Sequence, residues 1–299
     1  MPKISLDQWT TLVSVVDSGG YAKAAEALHK SQSTLTYGIQ QLEKLLGVKV
    51  FEIRGRKAVL TPTGEVLYRR GKTLVEEATR LEHAAGELAQ GWEPEIRLAA
   101  EVIFPTWLLL HCLDQFAKER PETRIELLET VLGGNEEALV QRKVHFAIGP
   151  VVPPGFIGDL LLPVRFVCIA APGHPLHQLG RPVTLDDLRG HRHLVIRDSG
   201  VGRADRTWLN ERRWTVTSKA TSIRAAVMGL GYAWYPEDSA REELERGTLK
   251  PLVLREGGGR VATLYLVYAD RDAAGPGTRR LTEIIRDEVR RACRAAEAV

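Results

Sequence analysis

No apolar run in this chain approaches the roughly 20 residues that a helix needs to cross a bilayer. The richest stretches, around Ile103 to Leu113 and Leu160 to Ala171, are short and interrupted by Pro, His or Arg, so a membrane span is excluded. The start, Met1-Pro2-Lys3-Ile4-Ser5-Leu6-Asp7, lacks the basic flank and apolar core of a secretory signal, and a cytoplasmic protein is expected. Cysteine is scarce. Cys112, Cys168 and Cys293 are too far apart for a disulfide framework or a metal knuckle and are expected as small core residues.

Catalytic and cofactor motifs are equally lacking. His191 and His193 flank Arg192 with no third ligand at a usable spacing, and an exposed polar turn is the expectation there. Gly200-Val201-Gly202 and Gly229-Leu230-Gly231 are too short for nucleotide loops. Ser199, in Asp198-Ser199-Gly200, lacks the glycines on both sides that a nucleophile elbow requires. These absences predict a protein that is not an enzyme and that uses no metal and no cofactor.

What is present is an ordinary globular composition, 44% hydrophobic and 26% charged, in a chain of 299 residues, long enough for two or three compact units. The formal net charge of +3 is unremarkable, but its distribution is not. Met1 to Lys72 carries 11 Lys or Arg against 6 Asp or Glu, so the positive excess sits at one end, as expected if only that end meets phosphate.

The same segment has strong helical grammar. Leu6, Trp9, Leu12, Val13 and Val16 recur at three and four residue spacings and predict a first helix, stopped by Asp17-Ser18-Gly19-Gly20. A short helix from Tyr21 to Leu28 carries Ala22, Ala24, Ala25 and Ala27, which allow close backbone approach. Ser31 is a good N-cap for a third helix from Gln32 to Leu46, with Leu35, Ile39, Leu42, Leu45 and Leu46 inward and Gln32, Ser33, Thr34, Thr36, Tyr37, Gln40 and Gln41 elsewhere. Gly47 closes it. Val48 to Leu60 then reads as two strands around Arg54-Gly55-Arg56-Lys57, a basic wing. After Thr61-Pro62-Thr63 a long helix extends to about Gln90 with Leu67, Leu74, Leu81 and Leu88 seven residues apart, the seam of a helix that pairs with its copy.

After Gly91-Trp92-Glu93-Pro94 short strands alternate with helices: strands at 96–100, 124–129 and 146–149, helices at 105–120 and 134–141. Such alternation predicts a parallel sheet with crossover helices. A second unit begins near Arg165 and includes strands at 194–196, 215–218 and 232–234 and a helix at 222–228. A last strand at 262–268 and a helix at 277–294 return the chain to the first unit.

A helix, tight turn, polar-faced helix and basic wing in one stretch form a unit that fits the major groove, where hydroxyl and amide side chains reach base edges and loop cations reach phosphate. The alternative from the residues alone is a three-helix packing unit with a solvated face. The run Ala24-Ala25-Glu26-Ala27-Leu28-His29-Lys30-Ser31-Gln32-Ser33-Thr34-Leu35-Thr36-Tyr37, with Ile39, Leu42-Glu43, Leu46-Gly47-Val48, Phe51, Arg54 and Leu60-Thr61-Pro62-Thr63-Gly64-Glu65, resembles the DNA-binding module of LysR-type transcriptional regulators. Looser similarity continues through Phe116, Pro121, Phe146-Ala147-Ile148-Gly149, Gly229-Leu230-Gly231 and Pro236.

The resemblance implies a bacterial multidomain protein: a winged helix-turn-helix over residues 1–63, a linker and dimerisation helix over 64–91, and an α/β effector domain over 92–299 of type 2 periplasmic-binding-protein fold. Its two subdomains are expected at about 92–162 with 267–299, and at about 163–266. Implied DNA-binding residues are Ser31, Gln32, Ser33, Thr34, Thr36, Tyr37, Gln40, Arg54, Arg56 and Lys57. Ser33 and Tyr37 stand where the family often has Pro and Arg, so phosphate anchoring leans on the wing. Implied effector-binding residues are Glu101, Val102, Ile103, Phe104, Thr106, Thr130, Val131, Pro150, Arg197, Ser199, Thr221 and Ser222.

Glu101 needs a partner at the buried end of its strand, either Arg197 or an effector hydroxyl or amine; the alternatives are a purely structural ion pair or an exposed side chain. Phe104, Val102, Ile103 and Trp107 suggest an apolar or aromatic effector with polar substituents. Expected partners are double-stranded promoter DNA, a small-molecule effector, further copies in a homodimer or homotetramer, and RNA polymerase if the protein activates. A solute-binding protein and an α/β enzyme are the rival readings.

Overall fold

The computed structural model describes residues 2–54, 57–200 and 212–297, without the side chains of Arg54, Lys57, His83, Ala84, Glu87, Leu88, Ala296 and Glu297. The expected DNA contacts of Arg54, Arg56 and Lys57, the seam position Leu88, and Val201-Gly202 therefore lie outside the described residues. The chain divides into two compact units, Met1–Gln90 and Gly91–Val299.

In the first unit α1 (Leu6–Asp17) starts at a reciprocal cap in which the Ser5 hydroxyl accepts from the Gln8 amide and the Gln8 side chain accepts from the Ser5 amide. α2 (Tyr21–Ala27) ends at His29, which takes the left-handed conformation at φ 52° and turns the chain sharply into α3 (Gln32–Leu46). Leu12, Ile39 and Leu42 with Val50, and Val15, Ala24, Ala25 and Leu35, form the buried contacts. Leu45, expected inward, is exposed, because the buried stripe needs only Leu35, Ile39 and Leu42. β1 (Phe51–Arg54) and β2 (Lys57–Leu60) form an antiparallel hairpin, followed by α4 (Pro62–Ala89).

Buried Glu43 ties α3 to this hairpin. Its carboxylate accepts from the amides of Val50 (2.8 Å) and Phe51 (3.3 Å) and from Lys49 Nζ (2.6 Å). Burial pushes its pKa up, but these hydrogen bonds outweigh that and hold it below the usual value.

The second unit runs β3 (Glu95–Glu101), α5 (Thr106–Glu119), β4 (Arg124–Thr130), α6 (Gly133–Val140), β5 (Phe146–Gly149), β6 (Gly158–Ala170), α7 (Leu185–Gly190), β7 (His193–Ile196), β8 (Arg213–Val216), α8 (Lys219–Val227), β9 (Ala233–Pro236), α9 (Arg241–Glu245), β10 (Lys250–Pro251), β11 (Arg260–Tyr268) and α10 (Pro276–Glu297). Seven of these strands share one sheet in the order β10-β6-β11-β5-β3-β4, with β9 also on β6.

The expectation of a parallel sheet holds only in part. β3 pairs in parallel with β4 and β5, and β7 with β8, but β11 pairs antiparallel with both β5 and β6, and β9 and β10 pair antiparallel with β6. β6 and β11 are long, and their antiparallel pairing carries one sheet from β3 and β5 to β9 and β10. α5 and α10 cover one face through Leu108, Cys112, Phe116, Leu281 and Ile285, while Ala138 and Leu139 of α6 pack on the other with Ala99, Ala147 and Val267.

Glu93 fixes the start of α10, accepting from the amides of Gly277 (2.9 Å) and Thr278 (3.1 Å). Cys112 and Cys168 are buried and Cys293 half-buried; burial pushes both buried thiols up to about 12.

Candidate nucleic-acid interface and ligand cleft

The Ser31 hydroxyl caps α3, accepting from the Thr34 amide at 3.1 Å, and lies 2.7 Å from the hydroxyls of both Ser33 and Thr34. Ser31, Ser33 and Thr34 thus form one local network at the helix entrance. One turn on, Thr36 donates to the Gln32 carbonyl at 2.9 Å. Gln32, Tyr37 and Gln40 are exposed, Tyr37 at 63%, and no hydrogen bond engages their side chains among the described residues.

Positions 32, 33, 36, 37 and 40 share one face at helical spacing, opposite buried Leu35, Ile39 and Leu42. This face offers amide, hydroxyl and phenol groups, each able to donate and accept. Farther along the unit, Lys72 pairs with Asp17 at 3.0 Å, and the Tyr68 hydroxyl also donates to Asp17, joining α1 to α4.

In the second unit the ends of β3, β4 and β7 converge. Glu101, the last residue of β3, is 2% exposed, and both carboxylate oxygens lie on the Leu132 amide at 3.0 and 2.9 Å. Leu132 itself is held at φ 50°, a conformation that costs energy for a branched side chain.

The next amide, Gly133, donates to Asp198 at 2.9 Å, and Asp198 also accepts from Gly200 at 2.8 Å. Ser199 completes the clasp: its hydroxyl accepts from the Val131 amide at 2.8 Å and its own amide donates to the Val131 carbonyl at 3.0 Å. Gly134 makes room for this, because a Cβ there would lie 2.0 Å from the Ser199 hydroxyl. Burial pushes the Glu101 carboxyl up to about 7; the Leu132 amide opposes that and nearby Asp198 adds to it.

Two adjoining cavities flank this clasp. One, of about 320 Å³, is walled by Glu101, Val102, Ile103, Val131, Leu132, Pro150, Phe166, Leu194, Ile196, Trp234, Tyr235 and Ala262, with His193, Lys219 and Arg260 among its polar members. The other, of about 450 Å³, takes in Thr106, Glu129, Arg197, Asp198, Ser199 and Ser218 and shares Val102, Val131 and Lys219 with the first.

Eight of the expected effector residues thus line one cavity or the other: Glu101, Val102, Ile103, Thr106, Val131, Pro150, Arg197 and Ser199. Four do not. Phe104 turns into the core beside Leu108. Thr130 is buried and lines neither cavity. Thr221 and Ser222 lie inside α8, which starts three residues earlier than expected, capped by the Ser218 hydroxyl, and buried Ser222 instead bonds to the Tyr235 hydroxyl at 2.6 Å.

Glu101 makes no ion pair with Arg197, which is exposed and turned to the larger cavity. His193, expected on an exposed turn, is buried in β7 and stacks parallel on Tyr232 at 4.9 Å, and burial lowers it to about 4.

Pattern reading missed several cleft residues, among them Phe166, Trp234, Arg260 and Lys219, and Lys219 is the one that lines both cavities. Its ammonium donates to the Val102 carbonyl at 2.9 Å, the Thr106 hydroxyl at 3.3 Å and the Ser239 hydroxyl at 3.5 Å. Burial lowers its pKa, and Glu129 and Asp238 oppose that. A lysine at the first position of a helix works against the helix dipole and was the available signal. Among the described residues, no group of three or more His, Cys, Asp or Glu could hold a metal ion, and no helix is long and apolar enough to cross a membrane.

Residues 6–65 match the family described as bacterial regulatory helix-turn-helix protein, lysR family, and residues 89–290 match the LysR substrate binding domain. The HTH-type transcriptional regulator YeeY of Escherichia coli K12 is 29% identical over 255 residues, covering 82% of this chain and 81% of its own. YhaJ, an HTH-type transcriptional regulator of Escherichia coli O157:H7, is 28% identical, covering 83% and 85%.

Among solved structures, CrgA, a LysR-type transcriptional regulator from Neisseria meningitidis, superposes with a TM-score of 0.52 at 22% identity over 96% of this chain and 99% of that one, a likeness of fold. The polar helix face and hairpin at one end and the two-lobed α/β unit at the other are thus the two matched parts of one protein. The chain belongs to the LysR family of transcriptional regulators.

Proposed function

We propose that this regulator binds double-stranded promoter DNA as a homodimer or homotetramer, with α3 in the major groove. Gln32, Ser33 and Thr36 read base edges, Tyr37 and Gln40 extend the contact along the same face, and Ser31 and Thr34 set the helix entrance against phosphate. The wing cations Arg54, Arg56 and Lys57 anchor to the backbone. The observation that carries this reading is the polar face of α3, on which the exposed side chains of Gln32, Tyr37 and Gln40 have no hydrogen-bond partner among the described residues.

A site-selection experiment tests it. Gln32→Ala relaxes the preference at one base pair, whereas Arg56→Ala weakens binding to all sequences alike and lowers the slope of log affinity against log salt by about one unit. A selected site identical to the parent's, with an unchanged slope, overturns the assignment.

The effector reading rests on the cavities at the Glu101, Val131 and Ser199 clasp, where the two lobes of the second unit are stitched together. A small molecule with an apolar or aromatic body and polar substituents binds there and biases the lobes, and through them the spacing of paired DNA-binding domains. RNA polymerase is a further partner if the regulator activates.

A further inference from the structure

The smaller cavity has a chemical bias. The backbone donors at the entrance to α6 are already taken by the chain's own carboxylates: the Leu132 amide by Glu101 and the Gly133 amide by Asp198. A carboxylic acid entering here meets the Glu101 carboxylate where it would need free N–H groups, while Asp198 holds the adjoining amide from the side of the other cavity. The lysine in the wall is also committed. Lys219 has three protons and three acceptors, Val102, Thr106 and Ser239, so it acts as a strut. The other cation of this wall, Arg260, stands over the Trp234 ring, its guanidinium carbon 3.9 Å from the ring centroid.

Glu101, by contrast, has acceptor capacity to spare. A carboxylate offers about four lone-pair sites, and the one amide of Leu132 occupies the near edge of both oxygens. A buried acceptor with free lone pairs beside an apolar space gains most from a ligand that donates. The surrounding wall is aliphatic and aromatic, including Phe166 and Trp234.

We infer that the effector is a small, planar, apolar molecule that carries an N–H or O–H donor and no acid group, and that its donor is received by Glu101. This rests on the cleft being the effector site. Partial protonation of the carboxyl near neutral pH lowers the cost of keeping it buried beside an uncharged ligand.

The test uses the full-length protein and three probes, indole, 1-methylindole and benzoate, in thermal-shift titrations. Indole and its methylated form share one apolar body and differ in the N–H. Indole is expected to bind about tenfold more tightly than 1-methylindole, with benzoate giving no shift. Glu101→Gln, which retains an oxygen for the Leu132 amide and adds donors, erases the indole advantage. Ala262→Trp, which fills the cavity, abolishes protection by every probe.

Protection by benzoate equal to or greater than that by indole, lost in Ala262→Trp, overturns the donor assignment and leaves the cleft as the effector site. Protection by indole that survives Ala262→Trp overturns both. No protection by indole, or equal binding of the two indoles, overturns the donor assignment.

Discussion

Both carboxylate oxygens of Glu101 lie within 3.0 Å of the Leu132 amide nitrogen, so the end of β3 is bound to the start of α6 by a buried group that titrates near neutrality. The bond runs from the strand that leads into the first cavity to a residue held at positive φ.

The sign of its pH dependence follows from the raised pKa. The folded state keeps the Glu101 proton up to about pH 7, whereas the unfolded chain gives it up near the ordinary carboxylate value of 4.5. Its stabilisation is therefore complete below about pH 4.5 and is lost as pH rises through 7, amounting to about 3 kcal/mol. In urea titrations at pH 5 and pH 8, Glu101→Gln is expected to gain on the parent between the two conditions by that order. Parallel behaviour at both pH values rules out a buried, proton-holding Glu101.

Two glycines of the DNA-binding unit should respond oppositely to alanine. A Cβ on Gly64 would stand 2.1 Å from the Val50 carbonyl oxygen, a backbone clash, and Gly64→Ala is expected to cost more than about 2 kcal/mol and weaken DNA binding. Gly38, inside α3, would place its Cβ at an ordinary 3.8 Å from the Thr11 methyl, so Gly38→Ala should stabilise by roughly 1 kcal/mol. Thermal unfolding of both variants decides the point, and a stable Gly64→Ala contradicts the packing described.

The leucine repeat of α4 separates along its length. Leu67 packs half-buried against the domain core, while Leu74 and Leu81 are 49% and 73% exposed. We expect these two to form the contact with a second copy. Leu74→Glu with Leu81→Glu should shift sedimentation toward monomer, and an unchanged oligomer would place the interface elsewhere.

Much of this was legible in the sequence, for local reasons. α3 is written in an N-cap serine, a three-to-four spacing of Leu35, Ile39 and Leu42, and a closing glycine, all of which act within a few residues. The start of α8 was misplaced because Ser218 and Ser222 are both competent caps, and only the packing of Ser222 against Tyr235 decides between them. The antiparallel return of β11 beside β6 joins segments about a hundred residues apart, and no local pattern encodes it. For the same reason Glu101 was recognisable as needing a partner, but the partner, a backbone amide on another loop, was not.

The most direct measurement of the central claim is a mobility-shift titration of the full-length protein on the intergenic DNA beside its own gene, at low and moderate salt. A specific complex that weakens steeply with salt and loses its sequence preference in Gln32→Ala is the predicted result. No salt-sensitive complex, or a preference that Gln32→Ala leaves intact, would contradict the placement of α3 as the reading helix.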